Sequence, residues 1–550
     1  MKIKKINLLC GIAIVLAFAA CSLGGDLDDW REKAIEANTP PPDTRLTVTF
    51  YANGGSPAPG SFIAEYGNTI AEPPSMDKLF GIFDAWYKDQ AFTAKWDFNK
   101  DTVIASTALY AKWIFDADEF QEWLIEEEEG LDASSPVEIK LDIDLGDMQA
   151  GSGWRRLLTA IGNAGKYVNL DLSACIMATS TFVTNSVSSS GKDRIVSLVL
   201  PNAARTIGDG RYKVFAVNFS SLKKVSGKNI SSIANYAFQG NGSLVSIDFP
   251  AVTDIGNSAF SSCRGLASVN FPLLKSMSDG AFQECISLFT VVIPASVNIE
   301  NNPFVGCTSL DAITITGNGP LKALEGGKAL VLNNNHLVAY PSASGDVAMN
   351  YIKSIGAYAF RDCENLTSIS FPAVTSIGGA AFFSCNGLSG IYFPEAISMG
   401  DSAFGYCKNL TDADFPKLTS MGSHAFGTGY GGTYDKLVNI NFPVLIHIPD
   451  YAFSYRNSLS MVSFPEAVSI DYGAFGQNQS LTELHIPKVT SIGESAVSGS
   501  KLNKITIAAA CSFYNNNSIN SSNGGFIDYY NSKAQAGGTY AYVVGAWTGP

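Results

Sequence analysis

The chain has 550 residues, of which 46% are hydrophobic and 16% are charged, and its formal net charge is −13. This length allows several domains, the hydrophobic fraction permits large buried cores, and the sparse charge argues against a disordered chain. Phosphate binding needs clustered Lys and Arg, which the repeats described below lack, so we expect no nucleic-acid partner.

The first segment has the pattern of an export signal. MKIKKINLLCGIAIVLAFAAC places lysines ahead of an apolar run from Leu8 to Ala20, after which Cys21 follows. A membrane-spanning helix is the alternative, but the run is short for a hydrocarbon core of roughly 30 Å. Phe18–Cys21 resembles a bacterial lipobox, with Phe18 where leucine is usual. The resemblance implies that Cys21 carries lipid and tethers the mature protein to a membrane.

A spacer and a small β module come next. Residues 22–44 are rich in Gly, Asp and Pro, which favours an extended, semi-rigid linker. Between residues 46 and 113, stretches such as LTVTFYANGG alternate as strands do. The dense aromatic residues of this module could form a ligand platform, but we expect them in its core. They are Phe83, Trp86, Tyr87, Trp96, Phe98 and Trp113.

This module resembles the Listeria–Bacteroides repeat, a β-grasp-like unit of bacterial surface proteins. The resemblance rests on VTFYANGG at 48–55, FDAWYKDQAFTAKWDF at 83–98 and the closing LYAKW. Ala85 and Ala108 stand where that family usually has Gly and Thr. The resemblance implies a stalk or adhesion unit.

The junction before the repeats predicts a cap. DADEFQEWLIEEEEG indicates a short acidic helix ending at Gly130, with a solvated acidic face. Residues 137–145 and 167–174 alternate as strands, and GWRRLLTAIGNAGK between them has helical spacing. A strand, a helix and a strand would cover the first apolar face of a repeat array.

A repeat of mostly 22 residues dominates the rest of the chain: Phe371-Pro372 returns as Phe393-Pro394, and an Ala-Phe pair recurs with the same spacing. Units such as Leu-x-x-Ile-x-Phe at 366–371 predict a leucine-rich-repeat solenoid, in which stacked turns bury one continuous core. Proline ends each strand because it lacks an amide donor, and glycine in SIG and SMG is expected to allow the following turn.

The repeats resemble those of BspA-like surface proteins, specifically the treponemal type, as in SLVSIDFPAVTDIGNSAFSSC at 243–263. The resemblance extends from about Lys192 to the end. It implies an exported or surface-bound protein, and adhesion to host extracellular matrix or to other bacteria.

The period is broken twice. Between Phe304 and Phe360, KALVLNNNHLVAYP predicts a β-hairpin around an Asn-rich turn. Between Phe426 and Phe453, the extra residues of GTGYGGTYDK, at 427–436, predict a surface loop of the kind that often carries binding residues.

Two cysteine ladders follow the repeat phenylalanines by three residues, at 263, 285 and 307 and at 363, 385 and 407. Metal ligation is disfavoured because no C-x-x-C spacing exists. Disulfides remain an alternative, since neighbouring turns lie within the permitted Cα range. We favour buried thiols that pack as small hydrophobic groups.

The open sheet face is the expected binding surface. In Leu-x-x-Ile-x-Phe the residues on either side of Ile point outward, where they are expected to contact a ligand. The alternative is a plain solvated sheet face that binds nothing. Tyr392 beside an acidic pair is the best local candidate. A calcium site at this pair falls short of six oxygens. The candidate residues are Tyr392, Asp412, Asp414, Asn439, Asn441, Glu483 and His485.

Catalysis is not expected. His336, His424, His447 and His485 are scattered, and the sequence contains no H-E-x-x-H, no G-x-S-x-G and no glycine-rich phosphate loop. We expect no cofactor and no bound metal.

We therefore predict a mainly β protein, in which a small β-grasp-like module and a β-α-β cap precede a solenoid of about 22-residue repeats. The predicted boundaries are a lipoprotein signal peptide at 1–21, a linker at 22–44, the β module at 45–113, the junction and cap at 114–200, the solenoid at 201–510 with a hairpin insertion near 317–350, and a C-terminal cap at 511–550.

The expected function is protein binding by a surface-exposed, lipid-anchored protein, whose partner is an extracellular-matrix glycoprotein or another cell. The lipid anchor is the only expected membrane contact, and the outer-membrane surface is the expected location. A structural or periplasmic envelope scaffold without a host ligand is the alternative.

Overall fold

The computed structural model describes residues 45–149, 151–184, 191–211, 213–215, 218–429, 435–514, 519, 525–533, 535–543 and 546–550. The predicted signal peptide, Cys21 and the linker lie outside this part of the chain. Backbone contacts divide the chain into two compact units, Met1–Asp116 and Ala117–Pro550. No helix among the described residues combines the length and the hydropathy that crossing a bilayer requires.

The first unit contains a four-stranded mixed sheet, in the order second, first, fourth, third strand. The first and fourth strands are parallel, and both outer pairs are antiparallel. Its core is aromatic, as predicted: Trp86, Trp96 and Trp113 are buried, and the Phe50 and Trp86 rings meet edge-on at 4.7 Å. The strands are Arg45–Tyr51, Phe62–Glu65, Gly81–Tyr87 and Thr107–Phe115.

The second unit starts with the cap. Helix Ala117–Glu126 packs against helix Gly153–Ala164, which connects the parallel strands Val137–Lys140 and Val168–Asp171. The acidic helix ends at Glu126 and not at Gly130 as predicted. Beyond its end, the carbonyls of Glu127 and Glu129 accept hydrogen bonds from Lys166. The first predicted strand, at 137–145, is also shorter: its regular pairing ends at Lys140, and beyond it Asp144 forms an isolated parallel bridge with Ile176.

Stacked turns then form a β-solenoid of about 14 turns, which confirms the predicted fold class. Each regular turn contributes one strand to a ladder that begins in the cap, here called the front ladder. Its parallel strands are Val137–Lys140, Val168–Asp171, Ile195–Val199, Lys224–Ser226, Ser246–Asp248, Ser268–Asn270, Thr290–Pro294, Ala312–Thr316, Gly345–Ala348, Leu366–Ser370, Gly390–Tyr392, Asp412–Asp414, Asn439–Asn441, Met461–Ser463, Glu483–Ile486 and Lys504–Ile507.

A second set of short strands, the side ladder, follows the Phe-Pro corner of each turn. The sequence did not predict it as a separate sheet, since only two residues pair in most turns. Its parallel strands are Thr181–Phe182, Thr206–Ile207, Ser232–Ile233, Asp254–Ile255, Ser276–Met277, Asn298–Ile299, Ser354–Ile355, Ser376–Ile377, Ser398–Met399, His447–Ile448, Ser469–Ile470, Ser491–Ile492 and Ser512–Phe513.

The predicted hairpin lies in this side ladder. Strands Leu321–Leu324, Ala329–Leu332 and His336–Ala339 are successively antiparallel, and the third pairs in parallel with Ser354–Ile355. The insertion therefore extends the solenoid sheet and continues the stack. Short 3-10 turns occur at Lys192–Arg194 and Glu325–Gly327.

Phenylalanine fills the core between the ladders. The rings of Phe360, Phe382 and Phe404 stack almost in parallel, with centroids 4.8 and 4.9 Å apart. All three side chains are fully buried. Burial of stacked rings from adjacent turns makes each turn depend on its neighbours, which is the energetic basis of a solenoid.

The glycines of SIG and SMG are required by close approach of neighbouring turns. A Cβ at Gly400 would lie 2.6 Å from the amide nitrogen of Gly379, and one at Gly422 would lie 2.3 Å from that of Asp401. The left-handed conformation falls two residues later instead, at Ser402 and His424. Glycine is therefore needed at this position, but the predicted reason was wrong: it allows close approach of the neighbouring turn and does not supply the left-handed conformation.

The C-terminal end is closed by helix Phe526–Ser532 and by two antiparallel strands. Gly538–Val543 pairs with Lys504–Ile507, and Ala546–Thr548 pairs with Gly538–Val543. The Tyr530 hydroxyl donates to the Ala508 carbonyl at 2.8 Å. These elements cover the apolar end of the last turn.

A candidate binding face on the front ladder

The alternation of each front strand places its central residue inward and its neighbours outward. Ile391 and Ala413 are buried, and they pair in register. Tyr392, by contrast, is 56% exposed. The outward position predicted for the candidate residues follows from this two-residue period.

Five of the seven candidates lie together in one three-stranded parallel sheet, here called the central patch. It consists of Tyr392, Asp412, Asp414, Asn439 and Asn441. Tyr392 pairs in register with Asp414, which in turn pairs with Asn441. The sheet thus places an exposed aromatic ring next to two rows of short polar side chains.

Hydrogen bonds across the turns fix the polar part of the patch. The Asn439 amide donates to the Asp412 carboxylate at 2.6 Å, and the Asn441 amide donates to Asp414 at 2.7 Å. Hydrogen bonds from the Thr411 hydroxyl and from Asn439 lower the pKa of Asp412. The two carboxylates are therefore oriented by the asparagine side chains of the next turn.

The other two candidates lie further along the ladder, in a different sheet. Glu483 and His485 occupy the strand that pairs with Met461–Ser463 and Lys504–Ile507. Glu483 forms an exposed ion pair with Lys504 at 2.9 Å. The structure therefore does not bring these two residues into the central patch.

The described residues do not group three or more His, Cys, Asp or Glu side chains in a way that could hold a metal ion. At the central patch, the carboxylate oxygens of Asp412 and Asp414 accept hydrogen bonds from asparagine amides. This chemistry suits a polar recognition surface.

The loop at 427–436, predicted to lie on the surface, is described only near its ends. Residues 430–434 lie outside the described part of the chain, but Gly427, Thr428 and Asp435 at its two ends are buried. Asp435 forms an ion pair with Arg456 at 2.6 Å, and both side chains are 0% exposed. The ends of this insertion thus belong to the solenoid interior.

Sequence reasoning missed Arg456. It follows Phe453 by three residues and so occupies the repeat position that cysteine takes in earlier turns. Its guanidinium donates to the carbonyls of Cys407 at 3.1 Å and Phe404 at 3.4 Å, and to that of Phe426. The signal available in the sequence was a charged residue at a position reserved for small buried side chains.

The cysteine ladders are buried thiols, as predicted. The Cys285 thiol donates to the Phe260 carbonyl at 3.1 Å, and the Cys407 thiol donates to that of Phe382 at 3.0 Å. The six ladder cysteines are buried and form no disulfide bond. Burial raises the pKa of Cys285 and Cys407 to about 12, so both remain neutral thiols at physiological pH.

Comparison with known proteins agrees with both resemblances. The Listeria-Bacteroides repeat domain matches residues 47–112. Two curated proteins of Evansella cellulosilytica, named as membrane proteins and one of them as Gly-rich, are 46% and 45% identical over 67 residues. That match covers 12% of this chain and 8% and 10% of those relatives, so the chain spans a tenth or less of their length.

Solved structures with similarity to this chain include bacterial leucine-rich-repeat proteins. One from Eubacterium ventriosum is 21% identical, with 56% of this chain and 84% of that chain covered and a TM-score of 0.42. One from Bacteroides ovatus is 21% identical, with 55% and 84% covered and a TM-score of 0.35.

The BspA type leucine rich repeat region matches in 6 copies, over residues 190–311, 346–443 and 432–524, which together make up more than half of the chain. These residues are the stacked turns whose ladders and phenylalanine core are described above. The chain is a member of the BspA-type leucine-rich-repeat family.

Proposed function

We propose that this protein is an exported, lipid-anchored protein of the cell envelope that binds other proteins through its front ladder. In this proposal lipid at Cys21 holds it at the outer-membrane surface. The linker at 22–44 supplies reach, and the solenoid mediates adhesion to host extracellular matrix or to other cells. Membership of the BspA-type family and the membrane-protein names of the Evansella relatives support this location.

The observation that carries the proposal is the central patch. Tyr392 is the large exposed side chain within it, and tyrosine is among the residues that dominate binding energy at protein interfaces. Asp412 and Asp414 are already held by the asparagines beside them. Binding would therefore order few side chains, and this lowers its entropic cost.

Affinity of a single protein molecule is expected to be modest. The patch offers one aromatic ring among short polar groups, and buried area alone does not determine affinity. Many anchored copies on one cell would convert weak single contacts into firm attachment, since each further contact is effectively intramolecular.

Binding of the purified protein to fibronectin, fibrinogen and laminin at physiological salt tests the proposal. We expect saturable binding to at least one of them. Tyr392→Ala, and Asp412→Ala together with Asp414→Ala, should each weaken it by about tenfold or more, with unchanged circular dichroism. Tyr236→Ala is the matched control, because Tyr236 is 40% exposed but lies outside the front ladder.

Binding that survives both sets of substitutions would move the site to the loop at 427–436 or to the N-terminal module. Failure to bind any host or bacterial surface protein would favour the envelope scaffold. We also predict no turnover of small substrates.

A further inference from the structure

The outward positions in the middle of the front ladder carry negative charge. In six consecutive turns, from strand Gly345–Ala348 to strand Met461–Ser463, these positions hold three aspartates and no Lys, Arg or His. The aspartates are Asp346, Asp412 and Asp414. Outward lysines lie nearer the ends of the ladder, at Lys140, Lys224 and Lys504. The middle of the ladder should therefore attract cationic groups.

The carboxylates of the central patch keep their charge and part of their hydrogen-bonding capacity. Asparagine and threonine side chains donate to Asp412 and Asp414, but these donors are neutral. Neither aspartate forms an ion pair among the described residues, whereas Glu466, elsewhere on the solenoid, pairs with Lys488 at 2.6 Å. An ionised carboxylate has about four acceptor sites, and the donors occupy two at Asp412 and one at Asp414.

The lysines beside the central patch do not occupy its outward positions. Lys408, Lys417 and Lys436 lie in the connections before and after its strands. Lys417 forms an ion pair with Glu395 at 2.7 Å. The factors that shift the pKa of Asp412 include hydrogen bonds from neutral side chains and no lysine. The negative charge of the patch is thus available to a ligand.

Two exposed apolar side chains lie on either side of this polar surface. Tyr392 and Met461 are 56% and 59% exposed. Met461, which the sequence analysis did not single out, follows Asn439 by 22 residues and takes its repeat position one turn further on. The rings of Phe442 and Phe464 from these two turns stack at 6.0 Å. At about 4.7 Å per turn, the three turns between Tyr392 and Met461 correspond to roughly 14 Å.

These features specify the chemistry of a complementary ligand. The carboxylates favour a cationic group, because a ligand without positive charge would desolvate them and leave them unpaired. The tyrosine and methionine side chains favour apolar groups on either side of that cation. In an extended peptide the first, third and fifth residues lie on one face, and the first and fifth are about 13 Å apart. Five residues with a basic centre and apolar ends therefore match this surface.

We propose that the central patch, together with Met461, binds an extended basic segment of the partner protein. In this segment a Lys or Arg contacts Asp412 and Asp414, and apolar residues two positions before and after it contact Tyr392 and Met461. The inference rests on the proposed protein binding by the front ladder, to which it adds the charge of the partner and a further contact residue.

A set of three synthetic peptides tests the chemistry of the ligand. The probe is Leu-Ser-Arg-Ser-Leu between Gly-Ser flanks, displayed in many copies on a biosensor surface so that weak contacts add up. Leu-Ser-Glu-Ser-Leu and Ser-Ser-Arg-Ser-Ser are the controls for charge and for apolar contact. We expect the purified protein to bind the probe at least about tenfold more tightly than either control, and less tightly as salt is raised.

Variants of the protein test the residues. Asp412→Asn together with Asp414→Asn removes the charge but keeps an acceptor for each asparagine, so it should weaken probe binding about tenfold and abolish its salt dependence. Met461→Ser should weaken binding about threefold to tenfold. Asp254→Asn and Leu273→Ser are the matched controls and should bind like the parent, because both residues are exposed outside the front ladder.

The inference is wrong if the probe does not bind, if the acidic peptide binds equally well, or if the Asn substitutions leave binding unchanged. Self-association that Met461→Ser abolishes, without probe binding, would assign this face to a second copy of the chain. If Tyr392→Ala weakens binding to a matrix protein but the Asn substitutions do not, protein binding stands and this inference fails. Absence of binding to any protein would refute the proposed function as well.

Discussion

Replacement of Asp435 tests how the solenoid accommodates its longer turn. The Asp435 carboxylate lies 2.6 Å from Arg456 Nη1, and neither side chain is exposed. Asp435→Ala would leave the guanidinium buried with backbone carbonyls as its remaining described acceptors. Removal of one partner from a buried ion pair typically costs about 3–5 kcal/mol, and we expect a loss of unfolding free energy in this range.

Urea unfolding followed by circular dichroism, together with amide hydrogen exchange, measures the effect. Exchange should accelerate first near Cys407 and Phe426, whose carbonyls accept from Arg456. Glu466→Ala is the matched control, because Glu466 forms an ion pair with Lys488 and the two side chains are 46% and 56% exposed. An exposed pair of this kind contributes about 0–1 kcal/mol.

A double variant separates charge burial from packing. Arg456→Met combined with Asp435→Ala removes both charges, so it should be more stable than Asp435→Ala alone. A costly buried ion pair is contradicted if Asp435→Ala lowers the free energy of unfolding no more than Glu466→Ala does. It is also contradicted if the double variant loses the sum of the free energies lost by the two single variants.

Further predictions concern the core, the thiols and the anchor. Phe382→Ala should cost about 3–5 kcal/mol, because it opens a cavity between two stacked rings, and hydrogen exchange should show loosening of both adjacent turns. Burial raises the pKa of Cys407 to about 12 from the ordinary 9.0. The contribution of this thiol to the urea midpoint should therefore be constant below pH 9 and should be lost as the pH rises from about 9 towards 12, because the thiol ionises in the unfolded chain and stays neutral in the folded one. A thiol reagent at pH 8 should label the ladder cysteines only after unfolding, and labelling of the native protein would contradict their burial. Cys21→Ser should yield an unprocessed or soluble species in detergent partitioning, whereas partitioning like the parent would refute lipid attachment.

The repeat made much of the fold predictable. A spacing of 22 residues between Phe371 and Phe393 fixes which strand residues point inward. Outward exposure of Tyr392 and its pairing with Asp414 follow from that spacing and from parallel register. The thiol ladder is predictable for the same reason, since it depends on position within the repeat alone.

Features that depend on contact between turns were not predictable in this way. The role of Gly400 is set by the backbone of the preceding turn, which no single repeat reveals. The ends of the 427–436 insertion are buried because Arg456, more than 20 residues away, supplies a charge inside the core.

Hydrogen exchange of the protein alone and with saturating fibronectin, fibrinogen or laminin both detects protein binding and locates it on the chain. We expect one of these proteins to slow exchange in the turns that contain Gly390–Tyr392, Asp412–Asp414 and Asn439–Asn441, while exchange in the N-terminal module is unchanged. Protection confined to other parts of the chain, or no protection by any of the three, would contradict a protein-binding front ladder.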